Sequence, residues 1–249
     1  MERMAKGIQS VEIAAHILDV VVEAPRPLRL KDVAQMAGLA PNKVRMYLVS
    51  LIRVGLIEQN EEHGLYAVGR KALHLGILAL GQEGLLNLAR QAALKLGDDI
   101  GDAVLLSVWD RDRSVIIAHS ENGALPMTFR VGKTTPLDTA TGTVFSAYLA
   151  EALAAGREKL QREWLAGLPD AIAAVHARGF AMASQLTLHE GVTLSGYGAV
   201  AAPIFGRDGR LAYVLTALFA TGLTPEERDV RVGALVAAAK GVSSAAGAT

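Results

Sequence analysis

Cysteine is missing from the 249 residues of this chain. Disulfides and cysteine-bearing zinc sites are therefore excluded, as suits a reducing compartment. A charge excess is missing too. The 25 basic residues balance the 25 acidic ones, so only local charge can mark a polyanionic partner. The opening Met1-Glu2-Arg3-Met4-Ala5-Lys6 lacks the apolar core of a secretory signal. No uncharged run reaches the roughly 20 residues that cross a bilayer, and stretches such as 211–225 read as buried strand. The six histidines stand singly, with no pair at helical ligand spacing, so no metal site is expected. Gly196-Tyr197-Gly198 lacks the third glycine and the following helix of a dinucleotide fingerprint, and no cofactor is expected. These absences describe a soluble, cytoplasmic protein with no membrane partner.

What is present is a core-forming composition, 51% hydrophobic, enough for a small domain and a medium one. Over 10–23, Val11, Ala14, Ala15, Leu18 and Val22 recur at helical spacing. Pro25 and Pro27 end that helix, and 31–37 forms a second. Gly38-Leu39 makes a tight turn, Pro41 opens a third helix, and Gly55 stops it. Residues 57–59 and 65–68 alternate like strands about the polar turn 60–64. An apolar helix over 70–80 and another over 85–96 follow. Strands are expected over 103–109, 114–120, 127–131, 197–204 and 211–220, with helices over 139–149, 151–164 and 170–178. Thr224-Pro225-Glu226-Glu227 carries the cap, the proline and the acids of a final helix start.

The local charge is concentrated. Between residues 26 and 53, Arg26, Arg29, Lys31, Lys43, Arg45 and Arg53 oppose only Asp32. On the third helix Val44, Leu48 and Leu51 share an inward stripe, while Asn42, Lys43, Arg45, Val49 and Arg53 fall away from it. Such a helix fits a major groove, with Arg45 on guanine, Asn42 on adenine and Lys43 on phosphate. A solvated amphipathic helix is the plainer alternative. The acidic tip Glu61-Glu62 repels phosphate, which leaves a shallow wing.

The ordered set Leu28-Arg29-Leu30-Lys31-Asp32-Val33-Ala34, Gly38-Leu39, 51–56 (LIRVGL) and Tyr66-Ala67-Val68-Gly69 resembles the winged-helix domain of IclR-type regulators. Farther on, Pro136-Leu137, Ala140-Thr141-Gly142, Val144-Phe145, Arg178-Gly179-Phe180-Ala181, Ala201-Ala202-Pro203-Ile204-Phe205 and Asp208-Gly209-Arg210 resemble that family's effector domain. The resemblance covers essentially the whole chain. It implies an α+β protein: a winged helix-turn-helix over 1–69, a linker helix over 70–84, and a GAF-like α/β domain for effector binding and oligomerisation over 85–249. The partners it implies are double-stranded DNA, a small organic effector, and a second copy of the chain in a dimer or dimer of dimers. Arg29, Lys31, Asn42, Lys43, Arg45, Met46 and Arg53 are the DNA-binding candidates. The chain departs from the family at Asn42-Lys43, where Ser-Thr is usual, and at Met46 and Thr143, where a cation is usual. It also has Asp138 in place of a histidine. Neither operator nor effector carries over from the family.

In the second half, Thr139-Ala140-Thr141-Gly142 opens a helix whose free N–H groups and dipole attract an anion, and whose small residues let a ligand reach the backbone. The resemblance adds Met127, Thr135, His189, Tyr197 and Ala199 as pocket walls. A carboxylate-bearing, aromatic or aliphatic metabolite is the expected effector. The plainer alternatives make Thr139 only a cap and Tyr197 only a core ring. The apolar face of 72–88 is either a dimer seam or a face packed on its own domain. Ser195, His189 and Asp138 supply the residue types of a hydrolase triad, but Ser195-Gly196 lacks the Gly-x-Ser-x-Gly elbow, so no enzyme is expected. A DNA-binding protein without any ligand is the remaining alternative.

Overall fold

The computed structural model describes residues 7–60, 62–82, 84–123, 128–149, 162–187 and 193–248, and the chain divides into two units, Met1–Gln82 and Glu83–Thr249. The first unit contains α1 (Gln9–Glu23), α2 (Leu30–Ala37), α3 (Pro41–Arg53), the hairpin β1 (Ile57–Gln59) and β2 (Tyr66–Val68), and α4 (Arg70–Gln82). Between α2 and α3, Gly38 takes the left-handed φ of 63° that a side chain would resist, and the N–H groups of Gly38 and Leu39 return to Gln35 and Ala34. Ile17, Val33, Val44, Leu48 and Ile57 are sealed at the centre. Leu28 joins the hairpin by a two-way backbone exchange with Tyr66, at 3.0 and 2.8 Å. The whole is a winged helix-turn-helix.

The inner face of α1 differs from the expected one. Ile17, Val20 and Val21 are buried, whereas Val11 and Val22 are 63% and 54% exposed. Glu12, His16, Asp19 and Glu23 line one side of the helix and leave a wide apolar arc opposite, of which packing against α2 and α3 selects the part centred on Ile17, with Ala14 and Leu18 partly buried beside it. The start of α4 is fixed to the hairpin. A Cβ on Gly69 would stand 2.4 Å from the carbonyl oxygen of Gly55, and the same oxygen accepts from the Lys71 N–H at 3.1 Å. Beyond it Leu73, Leu75, Ile77 and Leu78 are all exposed.

The second unit comprises α5 (Gly84–Ile100), β3 (Ala103–Asp110), β4 (Arg113–His119), β5 (Thr134–Thr135), α6 (Ala140–Tyr148), α7 (Arg162–Arg178), β6 (Ala181–Ala183), β7 (Leu186–Thr187), β8 (Thr193–Leu194), β9 (Tyr197–Phe205), β10 (Leu211–Ala220) and α8 (Pro225–Ala245). Six strands pair antiparallel in the order β5-β4-β3-β10-β9-β6. Register shifts at Leu106/Ser107 and Leu211/Tyr213 bend the sheet into a GAF-like curl. Helices cover both faces, which is why β9 is buried nearly end to end. Val200, Ala202 and Ile204 meet α5 and α8 through Leu86, Ala93, Leu235 and Ala239. Ala199 and Ala201 meet α6 and α7 through Val144, Phe145 and Val175. A half-buried ion pair, Arg231 Nε to Asp102 at 2.6 Å, pins α8 to the turn before β3.

The outer edge of β9 is deliberately poor in donors. Pairing with β6 ends at Ala201↔Ala181. Pro203 has no N–H, and the Phe205 N–H donates to Ser243 Oγ at 3.0 Å.

Several short elements differ from expectation. The described part of 127–131 is not strand; the partner of β4 is Thr134–Thr135. The helix over 170–178 begins earlier, at Arg162, and runs through Pro169 at the loss of one backbone bond. Most of 151–164 lies outside the described residues. Strands β6, β7 and β8 have two or three residues each, too few for any periodicity to register.

Candidate nucleic-acid interface and effector cavity

Pro41 is pre-set for a first helical turn, and Ala40 before it is extended as a pre-proline residue prefers. No side chain caps α3 and no acid lies in its first turn. The N–H groups of Asn42 and Lys43 are thus left to solvent, a ready seat for phosphate. Val44, Leu48 and Leu51 anchor the opposite face. Asn42, Lys43, Arg45, Met46 and Arg53 are exposed, as are Arg29, Lys31 and Arg26. Among the described residues none of the six cations forms an ion pair. At the wing tip, Asn60 Oδ1 accepts from the N–H groups of Glu62 and His63 at 2.9 and 3.0 Å, so the turn is held by its own side chain.

The start of α6 is built in the opposite way. Thr139 Oγ1 donates to the Pro136 carbonyl at 2.8 Å and accepts from the Gly142 N–H at 3.1 Å. Ala140 and Thr141 are 1% and 4% exposed, and their N–H groups keep no partner among the described residues. Thr141 Oγ1 meets Thr216 Oγ1 of β10 at 2.8 Å, a buried polar pair spanning 75 positions of sequence. Gly142 packs tightly in this turn. A Cβ there would stand 2.2 Å from the Leu137 oxygen, so the residue is small to admit Leu137, and its N–H serves the cap.

Ala199 is buried on the sheet face that α6 covers, and the half-buried Tyr197 packs beside it. Thr135 sits at the far edge, bonded to Ser114 Oγ at 2.6 Å. β4, β3 and β10 stand between its strand and β9 in the sheet. The α6 start, Thr216 and Ala199 come together; Thr135 reaches the same turn only through the chain, since it precedes Pro136, whose carbonyl accepts from Thr139. Met127 and His189 lie outside the described residues. Of the hydrolase candidates, Ser195 is exposed on the turn into β9 and Asp138 is half-buried before α6.

Sequence reasoning missed the buried hydroxyls beneath α6. The signal for Thr216 was a lone polar residue inside LAYVLTALFA. Ser107 Oγ and Ser146 Oγ are buried with no partner among the described residues. An unpaired buried hydroxyl costs about 1–3 kcal/mol, so such groups favour water or a ligand.

A separate cavity of about 520 Å³ opens at the outer edge of β9, lined by Tyr148, Pro203, Phe205, Ala239 and Lys240 among others. Burial raises the Tyr148 hydroxyl above its ordinary pKa. None of the effector residues named from sequence lines it. No group of three or more potential metal ligands occurs among the described residues, and no described helix is long and apolar enough to cross a membrane.

Two family descriptions match this chain: the IclR helix-turn-helix domain over residues 10–61 and the bacterial transcriptional regulator IclR C-terminal domain over residues 77–244. The HTH-type transcriptional regulator XynR of Escherichia coli is 30% identical over 236 residues, 90% of each chain. The crystal structure of a putative IclR transcriptional regulator from Silicibacter superposes with a TM-score of 0.83 at 23% identity, covering 96% of this chain and 97% of that one. An IclR homolog from Microbacterium hydrocarbonoxydans, crystallised with 4-hydroxybenzoate, gives 0.73 at 19% identity, covering 96% and 100%.

Proposed function

Because the chain belongs to the IclR family of ligand-responsive, DNA-binding transcriptional regulators, we propose that α3 is its reading helix and the start of α6 its effector seat. The carrying observation is the contrast on α3: Asn42, Lys43, Arg45 and Arg53 exposed and unpaired, over a sealed Val44-Leu48-Leu51 stripe. Arg45 and Asn42 take base edges, with Met46 beside them. Lys43, Arg29, Lys31 and Arg53 take phosphate.

The effector is a small carboxylate. The unpartnered N–H groups of Ala140 and Thr141 bind its anionic end, with the helix dipole adding to the attraction. Thr139, Thr216 and Ala199 surround that seat, and Met127, His189 and Tyr197 close the pocket. The 4-hydroxybenzoate held by a protein of the same fold supports this chemical class. Residues 1–69 form the reading head, 70–84 the linker helix and 85–249 the sensing and assembly domain. Ligand acts by its differential affinity for two arrangements of the heads. The exposed leucines and isoleucine of α4 seat a second copy, and the protein works in the cytoplasm.

Purified chain is expected to bind duplex DNA with an affinity that falls steeply with salt, by about 0.9 logarithmic units per tenfold salt for each phosphate contacted. Small aromatic or aliphatic acids are expected to change that affinity. Failure to bind any duplex at low ionic strength overturns the reading of α3. Binding indifferent to every carboxylate tried overturns the reading of α6.

A further inference from the structure

The cationic face of α3 contains two side chains that phosphate cannot explain. Met46 is 73% exposed and Val49 41%, and both are apolar. They lie at helical spacing with Asn42, Arg45 and Arg53, so the five share one face. That face spans about 16 Å, or roughly five base-pair steps, at 1.5 Å per residue. Ser50, beside them, donates its hydroxyl to the Met46 carbonyl at 3.2 Å and is spent on its own helix. The middle of the face therefore has no donor or acceptor of its own. Polar groups stand on either side of it, Asn42 and Arg45 before, Arg53 after.

We infer that Met46 and Val49 read thymine, by packing on the C5-methyl groups of one or two thymines in the operator. The inference rests on α3 being the reading helix and deepens that assignment. The occupant of this face has to be polyanionic, because unpaired cations flank the patch and α3 carries no acid. It also has to offer something apolar at the centre. In the major groove the thymine methyl is the group that does so. A cation at position 46 would select guanine or phosphate instead; methionine, long and unbranched, reaches the methyl and adapts to its position.

Selection from a randomised duplex library with the full chain supplies the operator. Thymine is expected at one or two positions within a few base pairs of a guanine. Replacing each such thymine by deoxyuridine removes the methyl and leaves the hydrogen-bonding edge intact. Affinity is expected to fall about three- to five-fold per methyl, the scale of burying one such group. In a Met46→Gln, Val49→Ala variant, whose positions are exposed and spare the core, deoxyuridine and thymine operators are expected to bind equally. If the variant keeps the same methyl preference, or the native chain shows none, the inference is overturned while the reading of α3 stands. A library that yields no enriched sequence overturns both.

Discussion

The first turn of α3 holds Pro41, Asn42 and Lys43 in solvent with no cap, whereas the first turn of α6 is buried, capped by Thr139 and packed at Gly142 against Leu137. Both are helix starts with unsatisfied N–H groups and a positive dipole end. The open one suits a ligand far larger than the helix, arriving from outside and held by many weak contacts. The sealed one suits a ligand small enough to be enclosed, for which two N–H groups in a low-dielectric setting are worth more than a row of cations in water. A third start, that of α8, is a control. Thr224 and Glu227 cap it reciprocally, in solvent.

The contrast breaks most visibly at Gly142. Gly142→Ala is expected to destabilise the sensing unit by about 2–3 kcal/mol, because the Leu137 backbone has to move. Denaturant unfolding measures it. A variant as stable as the native chain would mean that this helix start is not sealed. Next in size, Arg45→Ala is expected to weaken DNA binding about ten- to hundred-fold, the value of one good base contact, and to leave thermal unfolding unchanged. Fluorescence anisotropy at fixed salt reads the first and calorimetry the second. Thr141→Val leaves Thr216 buried without its partner and is expected to cost about 1–2 kcal/mol, part of which a Thr216→Val second change restores.

The smallest expected effect belongs to the exposed cap. Bonds from Thr224 lower the Glu227 carboxyl below its ordinary value. A carboxyl depressed in the folded state stabilises it above the unfolded carboxylate pKa, and that contribution disappears as pH falls through the folded value. Glu227→Gln is therefore expected to lower stability slightly at neutral pH, where the contribution is full, and to make no difference well below the folded value, so that the acid limb of the stability profile flattens.

Legibility in the sequence followed how local the deciding contact was. The α3 face could be read because its apolar stripe is narrow and its charges lie on the other side within 13 residues. The GAF-like order of helices and strands was likewise carried by ordered motifs along the chain. On α1 the same method centred the stripe to one side, since the apolar arc is wide: Ala14 and Leu18 do pack on the core, but Val11 and Val22 are exposed while Ile17, Val20 and Val21 are buried. The Thr141–Thr216 pair was invisible because its members are brought together only by the sheet. The close fit of Gly142 against Leu137 was invisible for a similar reason. Leu137 is five residues away and turns back onto the helix only once the loop before α6 is folded.

The central sheet ends in strands of two residues on one side and three on the other, and past the three-residue β6 the edge of β9 shows a proline and an N–H already bonded to Ser243. A neighbouring molecule finds no ladder to continue there. Over that stretch the sheet offers an incoming strand little to pair with, so edge-to-edge growth from β9 is disfavoured without any charge having to guard it.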